Sequence, residues 1–166
     1  MKALIIVACG LATVAGLIAC APHSAADQNS APSGAPYPVQ HTVAEWRQLL
    51  SPDAFDVLRN AGTEHAFSSP LLNEHRKGTF VCAGCDQKLF ESSTKFESGT
   101  GWPSFWKPIK GAVLERPDNS LGMERTEVLC ARCGGHLGHV FEDGPKPTGL
   151  RYCMNGVAMK FVPAKN

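Results

Sequence analysis

Seven cysteines are the most informative residues in the chain, because a thiolate is both a strong nucleophile and a strong metal ligand. Four of them form two Cys-x-x-Cys turns, Cys82-Ala83-Gly84-Cys85 and Cys130-Ala131-Arg132-Cys133. Two such turns can supply four sulfurs to one tetrahedral zinc. The 44 residues between Cys85 and Cys130 exceed the span of a compact zinc ribbon, so a metal here would clamp two distant strand ends. Two structural disulfides, or a redox pair of thioredoxin type, use the same spacing and remain open on residue type alone. Cys9 and Cys20 fall in the amino-terminal apolar run, which leaves Cys153 without a partner.

Cys153 lies in Leu150-Arg151-Tyr152-Cys153-Met154-Asn155. As a strand of period two, this segment predicts Arg151, Cys153 and Asn155 on one face and Tyr152 and Met154 on the other. A neighbouring guanidinium favours the thiolate, and an amide can orient a bound oxygen. An inert buried thiol is the competing reading of any single cysteine. His136-Leu137-Gly138-His139 places two imidazoles just after the second turn, as proton donors or as ligands. Ser98-Gly99-Thr100-Gly101-Trp102-Pro103-Ser104-Phe105 is a glycine-rich loop ending in aromatics. It lacks the lysine and the helix of a phosphate cradle, and its Trp102 suits a small apolar group such as a methyl.

The elements that must position these groups are short. Thr42-Val43-Ala44-Glu45 has the form of a capping box and opens a helix through Leu50. Ser51-Pro52 starts a second helix that Gly62 ends, with Trp46, Leu49, Phe55 and Leu58 as expected core residues. After Gly78 the pattern predicts strands over 79–81, 88–90, 112–115, 124–129, 139–141, 150–155 and 158–162, separated by turn residues. The expected fold is a single, mainly antiparallel β domain over residues 41–166, led by two short helices, without internal repeats.

The 166 residues are 43% apolar and 19% charged, enough for one packed core. A net charge of +1 argues against nucleic-acid binding through excess positive charge. Residues 1–19 read as a secretion signal, Met1-Lys2 followed by an apolar run, with an uncleaved membrane anchor as the alternative. Leu17-Ile18-Ala19-Cys20 resembles a bacterial lipobox, which implies lipidation of Cys20. Residues 20–40, rich in Ala, Pro and Ser, are expected to act as a disordered tether with a reach of roughly 25 Å. The expected location is the bacterial envelope, facing the periplasm and held to the membrane by that lipid.

Taken together, Gly62-Thr63-Glu64, Ala66-Phe67-Ser68, both cysteine turns, Lys95 to Phe105, Gly135 to Phe141 and Gly149 to Asn155 resemble the type B peptide-methionine (R)-S-oxide reductases over nearly all of residues 42–163. The resemblance implies two antiparallel sheets, a structural Zn2+ held by Cys82, Cys85, Cys130 and Cys133, and reduction of the R epimer of methionine sulfoxide in proteins. It implies Cys153 as the nucleophile that becomes a sulfenic acid. It also implies His136, His139 and Asn155 around the sulfoxide oxygen, Trp102 against the substrate methyl, and an electrostatic role for Arg151. Many members carry a resolving cysteine where this chain has Thr100, so a thioredoxin-like thiol is the expected reductant. A monomer is expected. The rival readings are a metal-bound binding module, in which Cys153 is dispensable, and a metal-free dithiol oxidoreductase using one Cys-x-x-Cys pair.

Overall fold

A computed structural model describes residues 37–165. The predicted signal, Cys20 and residues 20–36 of the tether lie outside the described residues.

Both leading helices start where the sequence chemistry places them. α1 (Val43–Leu49) opens with a complete capping box: Thr42 Oγ1 accepts from the Glu45 N–H, and the Glu45 carboxylate accepts from the Thr42 N–H at 2.7 Å. α2 (Pro52–Asn60) is capped by Ser51, with proline in its first turn. Two core expectations need correction. Leu49 is 57% exposed and Leu50 is buried instead, because the helix stops at Leu49 and the extended backbone at Leu50 turns that side chain inward. The left-handed residue ending α2 is Ala61 (φ 55°), not Gly62; a Cβ at Gly62 would stand 2.2 Å from the Asp56 carboxylate, which would have to swing aside. Trp46, Ala54, Val57 and Leu58 are buried, and Phe55 is half-buried beneath the Arg47 guanidinium.

Nine strands follow: β1 (Gly78–Cys82), β2 (Lys88–Glu91), β3 (Lys95–Phe96), β4 (Ser104–Phe105), β5 (Val113–Asp118), β6 (Arg125–Cys130), β7 (His136–Phe141), β8 (Arg151–Met154) and β9 (Met159–Pro163). They form two antiparallel sheets, one in the order β2-β1-β9 and the other β3-β4-β8-β7-β6-β5. Aromatic side chains fill the seam between the sheets. Phe80 of β1 and Phe90 of β2 meet Phe105 of β4 with ring centroids 4.9 and 4.3 Å apart, and Phe90 also reaches Tyr152 of β8. The core therefore claims the Tyr152 and Met154 face of β8. Period two then turns Cys153 to the opposite face of the larger sheet.

The two Cys-x-x-Cys turns are built alike. In each, the backbone closes from the residue after the second cysteine to the first, Asp86 N–H to Cys82 and Gly134 N–H to Cys130, and that residue is left-handed (φ 59° and 67°). One turn ends β1 and the other joins β6 to β7, so the four sulfurs lie where the two sheets meet. The packed domain begins upstream of His41. Val39 donates its N–H to the Arg132 carbonyl, and the Tyr37 ring lies so close over Gly134 that a Cβ there would overlap it. No helix of the described residues is long and apolar enough to cross a membrane.

Candidate active site and metal centre

The register of the larger sheet sets the site. Phe96 pairs with Ser104, Ser104 with Cys153, Cys153 with His139, His139 with Glu127 and Glu127 with Arg116. Directly opposed residues share a sheet face, so these side chains form one strip across five strand junctions with the half-buried thiol at its centre. His136 joins it by a different device. In a regular strand His136 and His139, three residues apart, would point to opposite faces. The irregularity in the β6–β7 ladder at Val128/Leu129 inserts one residue between them, and their ring centroids come within 5.3 Å.

Each imidazole is held by a carboxylate that is itself held by an arginine. His136 Nδ1 lies 2.7 Å from Glu127 Oε1, and Arg116 donates to the other carboxylate oxygen. His139 Nε2 lies 2.8 Å from Asp118 Oδ2, which also accepts from Arg125 at 2.7 Å. Burial pushes the His136 pKa below that of a free imidazole, against the opposing pull of Glu127. Hydrogen bonds from Ser120 and then His139 hold the Asp118 carboxyl well below the usual carboxylate range. His136 Nε2 is buried without a partner among the described residues, which leaves one imidazole nitrogen open to an incoming group. None of Glu127, Asp118, Arg116 and Arg125 was singled out from the sequence, since only cross-strand register reveals them.

Arg151 donates from Nε and Nη2 to the two oxygens of Asp143, each at 2.8 Å, and stacks on Phe141. Its pKa is raised first by the hydrogen bonds to Asp143. Thr100 Oγ1 lies 3.7 Å from the Cys153 sulfur and 2.9 Å from Ser98 Oγ, which reaches Ser104 Oγ at 2.7 Å. The glycine-rich loop thus lies over the thiol and carries Trp102, whose Nε1–H donates to the Glu64 carbonyl.

Strand β8 stops at Met154, and Asn155, whose backbone is still extended, opens a 3-10 turn and is buried. Its Oδ1 accepts from the Glu64 N–H and its Nδ2 donates to the Leu137 carbonyl. The Glu64 carboxylate in turn accepts from the N–H groups of Gly156 and Val157 at 2.6 and 2.9 Å. Asn155 and Glu64 therefore lock the chain after β8 to the segment beneath Trp102, a coupling between residues some 90 positions apart that sequence spacing does not disclose.

The four remaining cysteines form a second centre. Their sulfurs all lie within 4.8 Å of one another, with Cys82–Cys133 at 3.8 Å and Cys85–Cys130 at 3.5 Å. Four thiolates about 2.3 Å from one zinc are separated by about 3.8 Å along the edges of the tetrahedron, so the residues fit such an ion. No disulfide joins them. Arg59 closes the outer side, donating to the Cys133 carbonyl beneath Trp46. A larger concavity of about 500 Å3, lined by Lys77, Thr79, Lys88 and Val162 on the smaller sheet, includes none of these residues.

The SelR domain family model matches residues 50–163. Proteins named peptide methionine sulfoxide reductase MsrB are close relatives in sequence. That of Leptospira interrogans is 54% identical over 126 residues, 75% of this chain and 96% of the relative. That of Agrobacterium fabrum is 55% identical over 126 residues, 75% and 93%. That of Bradyrhizobium diazoefficiens is 58% identical over 120 residues, 72% and 86%. With a family model matched over residues 50–163 and relatives 54–58% identical over most of their own length, the chain belongs to the MsrB family of peptide methionine sulfoxide reductases.

Proposed function

We propose that the domain reduces the R epimer of methionine sulfoxide within polypeptides, with Cys153 as the nucleophile. The observation that carries this reading is the cross-strand strip, which sets one uncommitted thiol directly opposite His139 and beside the loop bearing Trp102. The Cys153 thiolate attacks the sulfoxide sulfur while the imidazoles deliver protons to its oxygen. The S–O bond breaks, oxygen passes to Cys153 as a sulfenic acid, and the thioether leaves as methionine. His136, with Nδ1 on Glu127 and Nε2 open, is suited to proton delivery, and His139 stands opposite the sulfur. Arg151, two residues along the strand from Cys153 and fixed by Asp143, plays an electrostatic role, and Trp102 supplies the apolar wall that selects the epimer.

Regeneration requires an external thiol. Thr100 stands beside Cys153, and the four other described cysteines are gathered in the second centre. A thioredoxin-like thiol attacks the sulfenic acid, water leaves, a mixed disulfide forms, and a second thiol of the reductant releases Cys153. The cysteine cluster holds structural Zn2+, tying the end of β1 to the β6–β7 turn. The lipobox-like Leu17-Ile18-Ala19-Cys20 supports a lipid-anchored protein of the bacterial envelope that repairs oxidised envelope proteins.

Trapping tests the scheme. One turnover without reductant, followed by dimedone, labels Cys153 alone. An unlabelled Cys153 found in an internal disulfide contradicts external recycling.

A further inference from the structure

Phe67 is held where an apolar side chain costs most. At 72% exposure it is the most exposed large apolar side chain among the described residues, and its backbone is left-handed (φ 65°), a conformation bulky residues rarely adopt. It is not a loose loop tip. Its N–H donates to the Gly101 carbonyl at 2.8 Å, and its ring packs so close to Gly101 that a Cβ at that glycine would stand 3.0 Å from the ring. Glu64 anchors the same segment, through its N–H to Asn155 and its carboxylate to Gly156 and Val157. Strain maintained by such anchoring, at an exposed aromatic, marks a contact surface.

Phe67 lines a cavity of about 200 Å3 with Leu72, Phe96 and Trp102, whose polar wall is Asn73, the Lys95–Glu97 pair, Ser98 and Ser104. Ser98 touches Thr100, and Thr100 touches the Cys153 sulfur. The cavity therefore adjoins the reacting centre through Ser98 and Thr100 without including it. It is smaller than the roughly 300–1,000 Å3 of sites that engulf whole small molecules, and matches a single side chain. We infer that Phe67, with Leu72, Phe96 and Trp102, forms a subsite for an apolar side chain flanking the oxidised methionine of a polypeptide substrate. This rests on the function proposed above and adds a sequence preference to it.

The test compares two short peptides carrying methionine-R-sulfoxide, one with leucine and one with aspartate as neighbours, on the full domain and on Phe67→Ala and Phe67→Leu. The unsubstituted protein prefers the leucine peptide. In Phe67→Ala the ratio of kcat/KM values falls about tenfold through KM of the leucine peptide, and Phe67→Leu restores most of it. Because Phe67 is largely exposed, the variant folds, as circular dichroism verifies. An unchanged ratio, or a loss of kcat shared equally by both peptides, overturns the subsite while leaving the proposed activity standing. Absence of turnover of either peptide by the unsubstituted protein overturns both.

Discussion

Gly138→Ala should separate the demands of catalysis from those of folding. Gly138 lies in β7 beside β8, the strand that carries Cys153, and a Cβ there would stand 2.1 Å from the Cys153 carbonyl oxygen and 3.0 Å from the Met154 Cα. Ordinary contact begins at 3.4 Å, so β7 and β8 must part by about 1.3 Å at the residue that carries the thiol. Both obstacles are backbone, and no side chain can swing aside to relieve them. Overpacking of this kind costs about 2 kcal/mol and lowers Tm by roughly 5–10 °C for a domain of this size. A misplacement of about 1 Å at a reacting group costs on the order of 100-fold in rate. Single-turnover reduction of a sulfoxide peptide, followed at a temperature where circular dichroism shows the variant folded, separates the two effects. Gly111→Ala is the control: its φ is 73° but a Cβ meets nothing within 4 Å, so it carries backbone strain alone and keeps its rate. A folded Gly138→Ala protein that reacts within about threefold of the parent refutes the idea that β7–β8 spacing positions the sulfur.

Replacing Cys130 by serine removes one ligand of a centre worth roughly 10–16 kcal/mol in model peptides, so metal analysis should find no bound ion and the chain should not fold cooperatively. A folded, metal-free variant would contradict the staple. Burial lowers the His136 pKa below 6.5, so the unfolded chain protonates first and stability falls as pH drops through about 6.5; His136→Gln should lose less between pH 7.5 and 5.5 in urea denaturation. Thr100→Cys puts a second thiol where the hydroxyl now lies 3.7 Å from the Cys153 sulfur, and one turnover should then yield an internal disulfide instead of a dimedone adduct by peptide mass spectrometry.

How much of this was legible in the sequence depended on the range of the interaction. Both helix starts were, because a capping box and a Ser-Pro cap act within four residues. Most strands were also placed within a few residues of their observed bounds. The two-residue strands Lys95–Phe96 and Ser104–Phe105 were not, since they flank the glycine-rich loop and have no alternation of their own; pairing with β8 creates them. Cys153 stood out because the other cysteines fall in the amino-terminal segment or in the two paired turns, and the aromatic seam sets it on the face opposite Tyr152 and Met154. The bonds that bury Asn155 against Glu64 and Leu137 were not legible, because they join segments far apart in the chain. The partners of the imidazoles depend on register and on the ladder irregularity that brings His136 beside His139, and neither leaves a local trace.

The most direct measurement is epimer-resolved turnover of peptide methionine sulfoxide with dithiothreitol as reductant, on the parent domain and on Cys153→Ser. The account predicts that the parent consumes the R epimer and spares the S epimer, and that the folded, metal-loaded serine protein loses at least about a thousandfold in kcat. Retention of the parent rate by Cys153→Ser, or equal consumption of both epimers, contradicts it.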